Sequence, residues 1–228
     1  MMPAVQSAPG EMPDRGDGPP RYRTLGADLD LSHFQRLRRG VLAALLAAAF
    51  LALAVVGSSH GQAVHELIEQ VGFALMVVGI AGRIWCTFYI GGRKSAEIVD
   101  AGPYSMTRNP LYLFSTVAAA GVGAQTGSVI LALAFAAGCA LAFQPVIRRE
   151  ERHLARLFGA PYQAYLDRVP RFVPNVCAYR DRPEMTIRTD RVYRTLTDGL
   201  VFLAAIPLFE GIELLQAGGY LPIRLLLP

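Results

Sequence analysis

Five long apolar stretches, separated by polar segments, dominate the hydrophobic pattern of the chain. A helix needs roughly 20 apolar residues to cross about 30 Å of hydrocarbon, and the first, second and fourth stretches are that long. The third is shorter unless it starts at Asn109-Pro110, where proline suits the first helical turn. The pattern predicts an all-α, polytopic membrane helix bundle of about five spans, with a helical hairpin of the third and fourth. The stretches cover approximately residues 37–56, 71–90, 111–123, 129–147 and 200–215.

The regions outside these stretches divide the chain into three parts. Residues 1–35 are rich in proline, glycine and charge and predict a disordered N-terminal tail. They contain no apolar run, so no signal peptide is predicted. Residues 36–174 form the predicted membrane core. Residues 175–228 are a C-terminal extension whose apolar stretch, interrupted by acidic residues, is either a further transmembrane helix or an interfacial one.

Charge is sparse, with 53% hydrophobic and 18% charged residues and a net charge of +4 that is too small to suggest nucleic acid. Lysine and arginine lie before the first stretch, between the second and third, and after the fourth, whereas the two short loops between these have none. Because basic loops face the cytoplasm, we predict a cytoplasmic position for GPYSMTRNPLYL, residues 102–113, and for the segment after Ile147. The hairpin then brings these two segments together.

The chain shows no metal or redox motif. Its three cysteines and four histidines have no ligand spacing, so we expect neither a metal site nor a disulfide framework. As partners we expect a lipophilic substrate and membrane lipid, and neither nucleic acid nor metal.

Two adjacent carboxylates, Glu150 and Glu151, follow the fourth apolar stretch and are flanked by arginines. They are either ordinary interfacial charge or part of a site, because a charge that faces the interior of a membrane bundle is a functional candidate. Across the hairpin, Arg108, Asn109 and Tyr112 are either a basic helix start with an interfacial aromatic residue or a binding site for a carboxylate. Asn109 is also a natural N-cap for this helix.

Residues 150–174 carry apolar side chains at helical spacing, with a break at 159–161. This pattern predicts two amphipathic helices on the cytoplasmic face, which would roof a pocket and exclude water. Arg83, inside the second apolar stretch, either snorkels to the surface or points into a cavity.

The two polar segments share a pattern that resembles the isoprenylcysteine carboxyl methyltransferases and the related phospholipid N-methyltransferases. The first half reads G-x-Y-x-x-x-R-N-P-x-Y from Gly102 to Tyr112, and the second reads E-E-x-x-L-x-x-x-F-G-x-x-Y-x-x-Y-x-x-x-V-x-R-x-x-P from Glu150 to Pro174. Two motifs linked across a hairpin are fairly specific. The resemblance covers just under half of the chain and implies an integral-membrane enzyme that uses S-adenosylmethionine and has no Rossmann domain.

The resemblance also implies a cofactor site. Residues matching these motifs line the S-adenosylmethionine pocket in the family, where Glu150 would pair with the ammonium group of the cofactor. Asn109 and the helix-start N–H groups would meet its carboxylate. The predicted cofactor-binding residues are Ala96, Glu97, Ile98, Val99, Tyr104, Asn109, Pro110, Leu111, Tyr112 and Glu150.

Two departures from the family bear on the methyl acceptor. Asn109 stands where the family usually has histidine, so it can bind a ligand but cannot titrate near neutral pH. Val146 stands where the prenylcysteine enzymes carry the arginine that binds the substrate carboxylate, and Arg148 or Arg149 is the predicted replacement. An amine acceptor would need a base, for which Glu151 or a tyrosine is the candidate. The predicted catalytic residues are Arg108, Arg148, Arg149 and Glu151.

The sequence therefore predicts transfer of a methyl group from S-adenosylmethionine to a lipophilic acceptor, which is a prenylcysteine-like carboxylate, a phospholipid amine, or a small apolar thiol or acid. The acceptor would enter sideways from the bilayer and the cofactor from the cytoplasm. Two other functions stay open: a membrane reductase of the sterol-reductase type that uses NADPH, and a non-catalytic membrane scaffold or small transporter.

Overall fold

The computed structural model describes residues 54–91 and 97–228, and these residues are mostly helical. The predicted fold class is thereby confirmed, with one addition: two short strands pair in parallel, with Val56 opposite Leu225. The helices are α1 (Gln62–Ile90), α2 (Pro103–Met106), α3 (Pro110–Ala124), α4 (Val129–Phe158), α5 (Ala160–Arg168), α6 (Thr189–Leu203) and α7 (Ala205–Ala217), with a 3-10 helix at Val176–Ala178, and the strands are β1 (Val56–Ser58) and β2 (Leu225–Leu227).

Three helical stretches of the described residues are long and apolar enough to cross a membrane, namely α1, α4 and the α6–α7 pair. Helix α3, with 15 residues, is shorter than the roughly 20 that a full crossing needs. The predicted count of about five spans is therefore not confirmed. The first predicted span lies outside the described residues up to position 53, and its last residues, 54–56, are turn and strand rather than helix.

The other predicted segments change mainly in their boundaries. Helix α1 begins at Gln62 rather than near position 71, and α4 runs on past Ile147 to Phe158. The first predicted amphipathic helix is thus the end of α4, because nothing in the sequence stops the helix before Gly159. That glycine has φ +60° and separates α4 from α5, as the predicted break at 159–161 requires.

Small residues bring α1 and α3 into close contact. A Cβ built on Gly79 of α1 would lie 2.6 Å from the Cβ of Ala118 and 2.8 Å from its backbone nitrogen. In the same way, Gly121 of α3 approaches the backbone and side chain of Met76. Membrane helices associate through such close backbone contacts, because lipid offers no hydrophobic drive between them. Helix α4 packs on α3 and keeps apolar side chains such as Leu141 exposed.

We expect Gly79→Ala to destabilise the protein by about 1–3 kcal/mol relative to Gly138→Ala, because overpacking a tight contact costs that much. Gly138 is the matched control, since it is a helical glycine with no atom within 4 Å of its added Cβ. Both changes raise helix propensity equally, so the difference isolates packing. Thermal unfolding in detergent measures it, and equal stabilities would contradict the close α1–α3 contact.

Arg83 points into the bundle rather than to its surface. Its guanidinium donates a hydrogen bond to the hydroxyl of Ser115 on α3 and lies 6.0 Å from the ring centre of Phe202 on α6. These contacts tie α1 to two neighbouring helices. The C-terminal end of α1, the start of α3, the second half of α4 and α5 then meet around one cavity.

Candidate active site

The segment GPYSMTRN begins with a glycine that the backbone requires. Gly102 has φ +58°, and a Cβ there would collide with the ring of Tyr89. Pro103 then starts the short helix α2, and Pro110 starts α3 at a position where its missing N–H costs nothing. The segment therefore makes two sharp turns that hold its polar side chains at the N-terminal end of α3.

The chain that follows α5 holds this segment through backbone hydrogen bonds. The N–H of Gly102 donates to the carbonyl of Arg180 at 2.6 Å, and the N–H of Arg108 donates to the carbonyl of Pro170 at 2.9 Å. The carbonyl of Met106 accepts from Asn175 at 2.9 Å. The two halves of the sequence motif are thus fastened to each other by main-chain atoms.

Glu151 is the centre of a buried ionic cluster that also joins the two halves. It forms an ion pair with Arg108 at 3.6 Å and accepts two hydrogen bonds from the guanidinium of Arg171. Asn109 donates to Glu151 at 3.5 Å and to the carbonyl of Arg171 at 3.2 Å. Two cations and an amide therefore surround this carboxylate, whose side chain is only 10% exposed.

Asn109 has the predicted N-cap position of α3 but does not cap the helix with its side chain. It occupies the position before α3, but its side chain makes no capping hydrogen bond because it is committed to Glu151 and Arg171. The first turn of α3 carries N–H groups that have no carbonyl partner within the helix, and its first residues line the cavity.

The motif residues surround a cavity of about 90 Å³. Its wall combines acidic, basic and amide groups with apolar side chains and tyrosines, as a binding site for a polar ligand with an apolar part requires. The lining residues are Ile90, Glu97, Ile98, Val99, Tyr104, Arg108, Asn109, Leu111, Tyr112, Glu150, Glu151, Leu154, Phe158, Tyr162 and Tyr165.

Two buried polar atoms on this wall have no hydrogen-bond partner within the described residues: the hydroxyl of Tyr104 and Nε of Arg108. Tyr104 is only 5% exposed, and buried polar groups in proteins are nearly always paired. A ligand with acceptor groups would satisfy both atoms, so the residues present fit a polar cofactor.

Three tyrosines of the cavity stay protonated at neutral pH. Burial raises the pKa of Tyr104 well above its usual value and raises the pKa of Tyr162 to about 12. Burial also raises the pKa of Tyr165, whose hydroxyl donates to the carbonyl of Tyr104 at 3.0 Å. These phenols can donate hydrogen bonds, but they are poor candidates for the base that an amine acceptor would need.

The structure brings most of the predicted site residues to the cavity. Of the predicted cofactor-binding residues, Pro110 is buried beside the cavity rather than on its wall, and Ala96 lies outside the described residues. The remaining predicted cofactor-binding residues line the wall, and so do Arg108 and Glu151. Their roles remain predictions, whereas their common location is a property of the fold.

Arg148 and Arg149 are not brought to the cavity. Both are exposed on α4, and neither lines the wall. The helical repeat explains this, because Ile147 and Glu151 share the inward face and the two arginines fall on other faces of the same turn. The cavity wall gives no support to their predicted role in holding an anionic acceptor.

Arg171 is the main site residue that the sequence reasoning did not assign. It belongs to the quoted motif, and the structure gives it two hydrogen bonds to Glu151. The signal was its place in that motif, together with a buried carboxylate that needs a cation. Tyr162, Tyr165, Leu154 and Phe158 were likewise visible in the motif and prove to line the cavity.

The apolar helices are those of an integral-membrane protein, and the two-part motif lines a polar cavity at their ends. The family model for phospholipid methyltransferase matches residues 68–161, which hold both the hairpin and most of the cavity wall. The chain belongs to the phospholipid methyltransferase family. This family match indicates a membrane methyltransferase.

Two relatives extend the similarity beyond the matched segment. The chain is 34% identical over 199 residues to the nickel-cobalt-cadmium resistance protein NccN of Alcaligenes xylosoxydans xylosoxydans, covering 86% of this chain and 92% of that one. It is 34% identical over 161 residues to the cobalt-zinc-cadmium resistance protein CzcN of Cupriavidus metallidurans, covering 71% of this chain and 74% of that one. No solved structure matches the chain.

Proposed function

We propose that the chain transfers a methyl group from S-adenosylmethionine to a lipophilic acceptor. One observation carries the proposal: both halves of the motif, roughly forty residues apart in the chain, meet on one cavity wall that has unsatisfied polar atoms. The family match supports the reaction class, since methyltransferases of this family generally use S-adenosylmethionine.

Three groups of the wall would hold the amino-acid part of the cofactor. Glu150 would attract its ammonium group, and the positive N-terminal end of α3 at Leu111 would meet its carboxylate. The hydroxyl of Tyr104 would donate a further hydrogen bond. The apolar residue Ile98 would pack against the rest of the molecule.

When bound, S-adenosylmethionine supplies a methyl group already activated on a sulfonium. The chain has then mainly to position the acceptor and keep water away. Glu151 does not suit the role of base, because its carboxylate oxygens are already engaged by Arg108, Arg171 and Asn109. Among the wall residues that the structure describes, Arg108 is the one cation. We therefore place the anionic group of the acceptor at Arg108, which replaces Arg148 and Arg149 in this role.

These properties favour an acceptor that arrives as an anion. A prenylcysteine-like carboxylate or a thiolate needs no base, whereas a phospholipid amine would need one that neither Glu151 nor the three buried tyrosines provide. The apolar surfaces of the neighbouring helices suit a lipophilic acceptor that enters from the bilayer. The exposed arginines at the end of α4 support a cytoplasmic position for the cavity, because basic segments face that side.

A role in metal resistance is the second candidate, and the names of the two relatives favour it. In this reading, methyl transfer by the chain contributes to tolerance of divalent transition metals. Growth of a metal-sensitive host on cobalt or cadmium, with the wild type and with Glu150→Gln, measures this role. Equal growth of the two strains would contradict it.

The cofactor proposal predicts that the purified protein binds S-adenosylhomocysteine and does not bind NADPH. Isothermal titration calorimetry in detergent measures both, and the second ligand tests the reductase alternative.

Tyr104→Phe should weaken S-adenosylhomocysteine binding by about tenfold, as expected for one lost hydrogen bond. Mass spectrometry of membrane extracts incubated with deuterated-methyl cofactor would then identify the acceptor. Binding of NADPH alone, or of neither ligand, would refute the proposal.

A further inference from the structure

A second cavity lies at the other end of the bundle, far from the candidate active site. It has a volume of about 270 Å³ and polar walls, and it is bounded by the start of α1, the turn between α3 and α4, the end of α7 and strand β1. Within α1, His65 lies at this cavity and Ile90 at the first. At 1.5 Å rise per residue, the two positions are about 38 Å apart along the helix.

Three potential metal ligands converge in this second cavity. Nε2 of His65 lies 3.3 Å from a carboxylate oxygen of Glu69, one turn further along α1, and 3.0 Å from one of Glu213 on α7. One ligand atom from each residue lies within 4.8 Å of the others. The two helices thus contribute an imidazole and two carboxylates to a single point.

Two ionised carboxylates give this cluster a net negative charge even when His65 is protonated. A neutral imidazole nitrogen carries at most one proton, yet two carboxylates face the same Nε2. Two carboxylates this close also repel each other. No lysine or arginine is among the described residues that line this cavity. A dication between the three ligands would balance the two negative charges.

The imidazole is held in place by its surroundings. Gly127 has φ +67°, and a Cβ on it would collide with the ring of His65, so the turn between α3 and α4 packs directly on the imidazole. The carbonyl of Gly127 accepts a hydrogen bond from the hydroxyl of Ser58 at 2.9 Å. A ligand with a fixed ring orientation is what a built metal site needs.

We propose that His65, Glu69 and Glu213 bind a divalent first-row transition metal. Imidazole with carboxylate suits Zn²⁺, Co²⁺ or Ni²⁺, while the absence of a thiolate among the three ligands disfavours Cu(I). Water in the polar cavity completes the coordination sphere. This site differs from the sequence-based expectation of no metal, because Glu213 is 148 residues from His65 and only the fold brings them together.

The alternative is that protonated His65 simply forms ion pairs with the two carboxylates and ties α1 to α7 without any metal. Titration with Co²⁺ separates the two readings, since bound Co²⁺ gives visible absorption bands that report its ligands. The full-length protein is purified with a tag that contains no histidine, treated with a chelator and titrated in detergent. We expect a single Co²⁺ per chain, with imidazole and oxygen ligands.

His65→Ala and Glu213→Gln are the test variants, and Glu66→Gln is the matched control. Glu66 is an exposed carboxylate on the same turn of α1 that accepts a hydrogen bond from Gln62 and does not line the cavity. Both test variants should weaken Co²⁺ binding by about 100-fold or more. Replacing a residue that only hydrogen-bonds to a metal ligand already lowers metal affinity by about 10–100-fold. The control should bind as the wild type does.

Folding is checked independently of the metal. Size-exclusion chromatography shows whether each variant is monodisperse. Co²⁺ should raise the thermal unfolding temperature of the wild type and of Glu66→Gln, but not that of His65→Ala or Glu213→Gln. Absence of Co²⁺ binding by the wild type would overturn the proposal, and so would unchanged binding in a folded His65→Ala variant. S-adenosylhomocysteine binding tests the other site separately, so failure of one proposal does not decide the other.

Discussion

Glu150→Gln is expected to weaken S-adenosylhomocysteine binding by about 10–100-fold, the loss expected when a hydrogen bond to a charged group is removed. Glu150 lines the cavity on the inward side of α4, next to the helix start that would hold the cofactor carboxylate. Glutamine keeps the size and the hydrogen-bonding oxygen but removes the charge that would attract the ammonium group. Calorimetry measures the affinity, and transfer of labelled methyl groups to membrane extracts should fall in parallel.

Glu184→Gln is the matched control for this experiment. Glu184 is exposed, lies in the segment between the 3-10 helix and α6, and does not line the cavity. Its replacement should leave the affinity unchanged. If Glu150→Gln binds S-adenosylhomocysteine as tightly as the wild type and this control do, Glu150 has no part in holding the cofactor.

Glu151→Ala is expected to lower the free energy of unfolding by about 2–3 kcal/mol, because it leaves the guanidinium of Arg108 buried without its carboxylate. The estimate lies below the usual cost of breaking a buried ion pair because Arg171 is 41% exposed and can turn to water. Glu151→Gln keeps an acceptor for Arg171 and should lose less. Thermal or urea unfolding in detergent measures both variants.

A double-variant comparison shows whether this loss comes from the ionic cluster. If Glu151 and Arg171 act together, Glu151→Ala combined with Arg171→Ala should cost clearly less than the sum of the two single changes. Arg188→Ala serves as control, since Arg188 forms an exposed pair with Asp190 and should lose at most about 0.5 kcal/mol. A Glu151→Ala variant as stable as this control would show that the cluster does not stabilise the fold.

The main features of the fold could be predicted because lipid imposes a strong pattern on the sequence. A long uninterrupted apolar stretch has few alternatives to a helix when no water can satisfy its backbone. That rule predicted α1, α3 and α4, and its last stretch, 200–215, covers α7 and the end of α6. It predicted boundaries less well, because α1 and α4 continue beyond the apolar part into polar turns, where backbone hydrogen bonding rather than hydropathy decides where the helix ends.

The position of a site residue could be predicted where two linked motifs bring it to the cavity. It could not be predicted where it depends on the direction in which a side chain points. The linked motifs alone were enough to place Glu150 and Tyr104 on one wall. Proximity in sequence to Glu150 predicts Arg148 and Arg149 at the site, but the helical repeat of 3.6 residues turns both away from the face that carries Glu151. Asn109 was predicted as a cap from its position alone, while one of its actual partners, the carbonyl of Arg171, lies 62 residues further along the chain.

Sequence motifs alone could not predict the cluster of His65, Glu69 and Glu213. His65 and Glu69 stand at the i,i+4 spacing of two ligands on one helix face, but such pairs are common and the third ligand comes from α7. Only packing of α7 against the start of α1 shows that the three residues converge. The same is true of Arg171, whose partner Glu151 lies 20 residues earlier, on α4.

The backbone hydrogen bond between Gly102 and Arg180 can form only after residue 180 has been synthesised. The ribosome delivers α1, α3 and α4 to the membrane while the residues that fasten the α2 segment are still to be made. We expect a nascent chain at that stage to be inserted in the bilayer yet unable to bind cofactor. Cofactor binding would become possible only when residues 170–180 fold back, so we expect a chain that ends before them not to bind it.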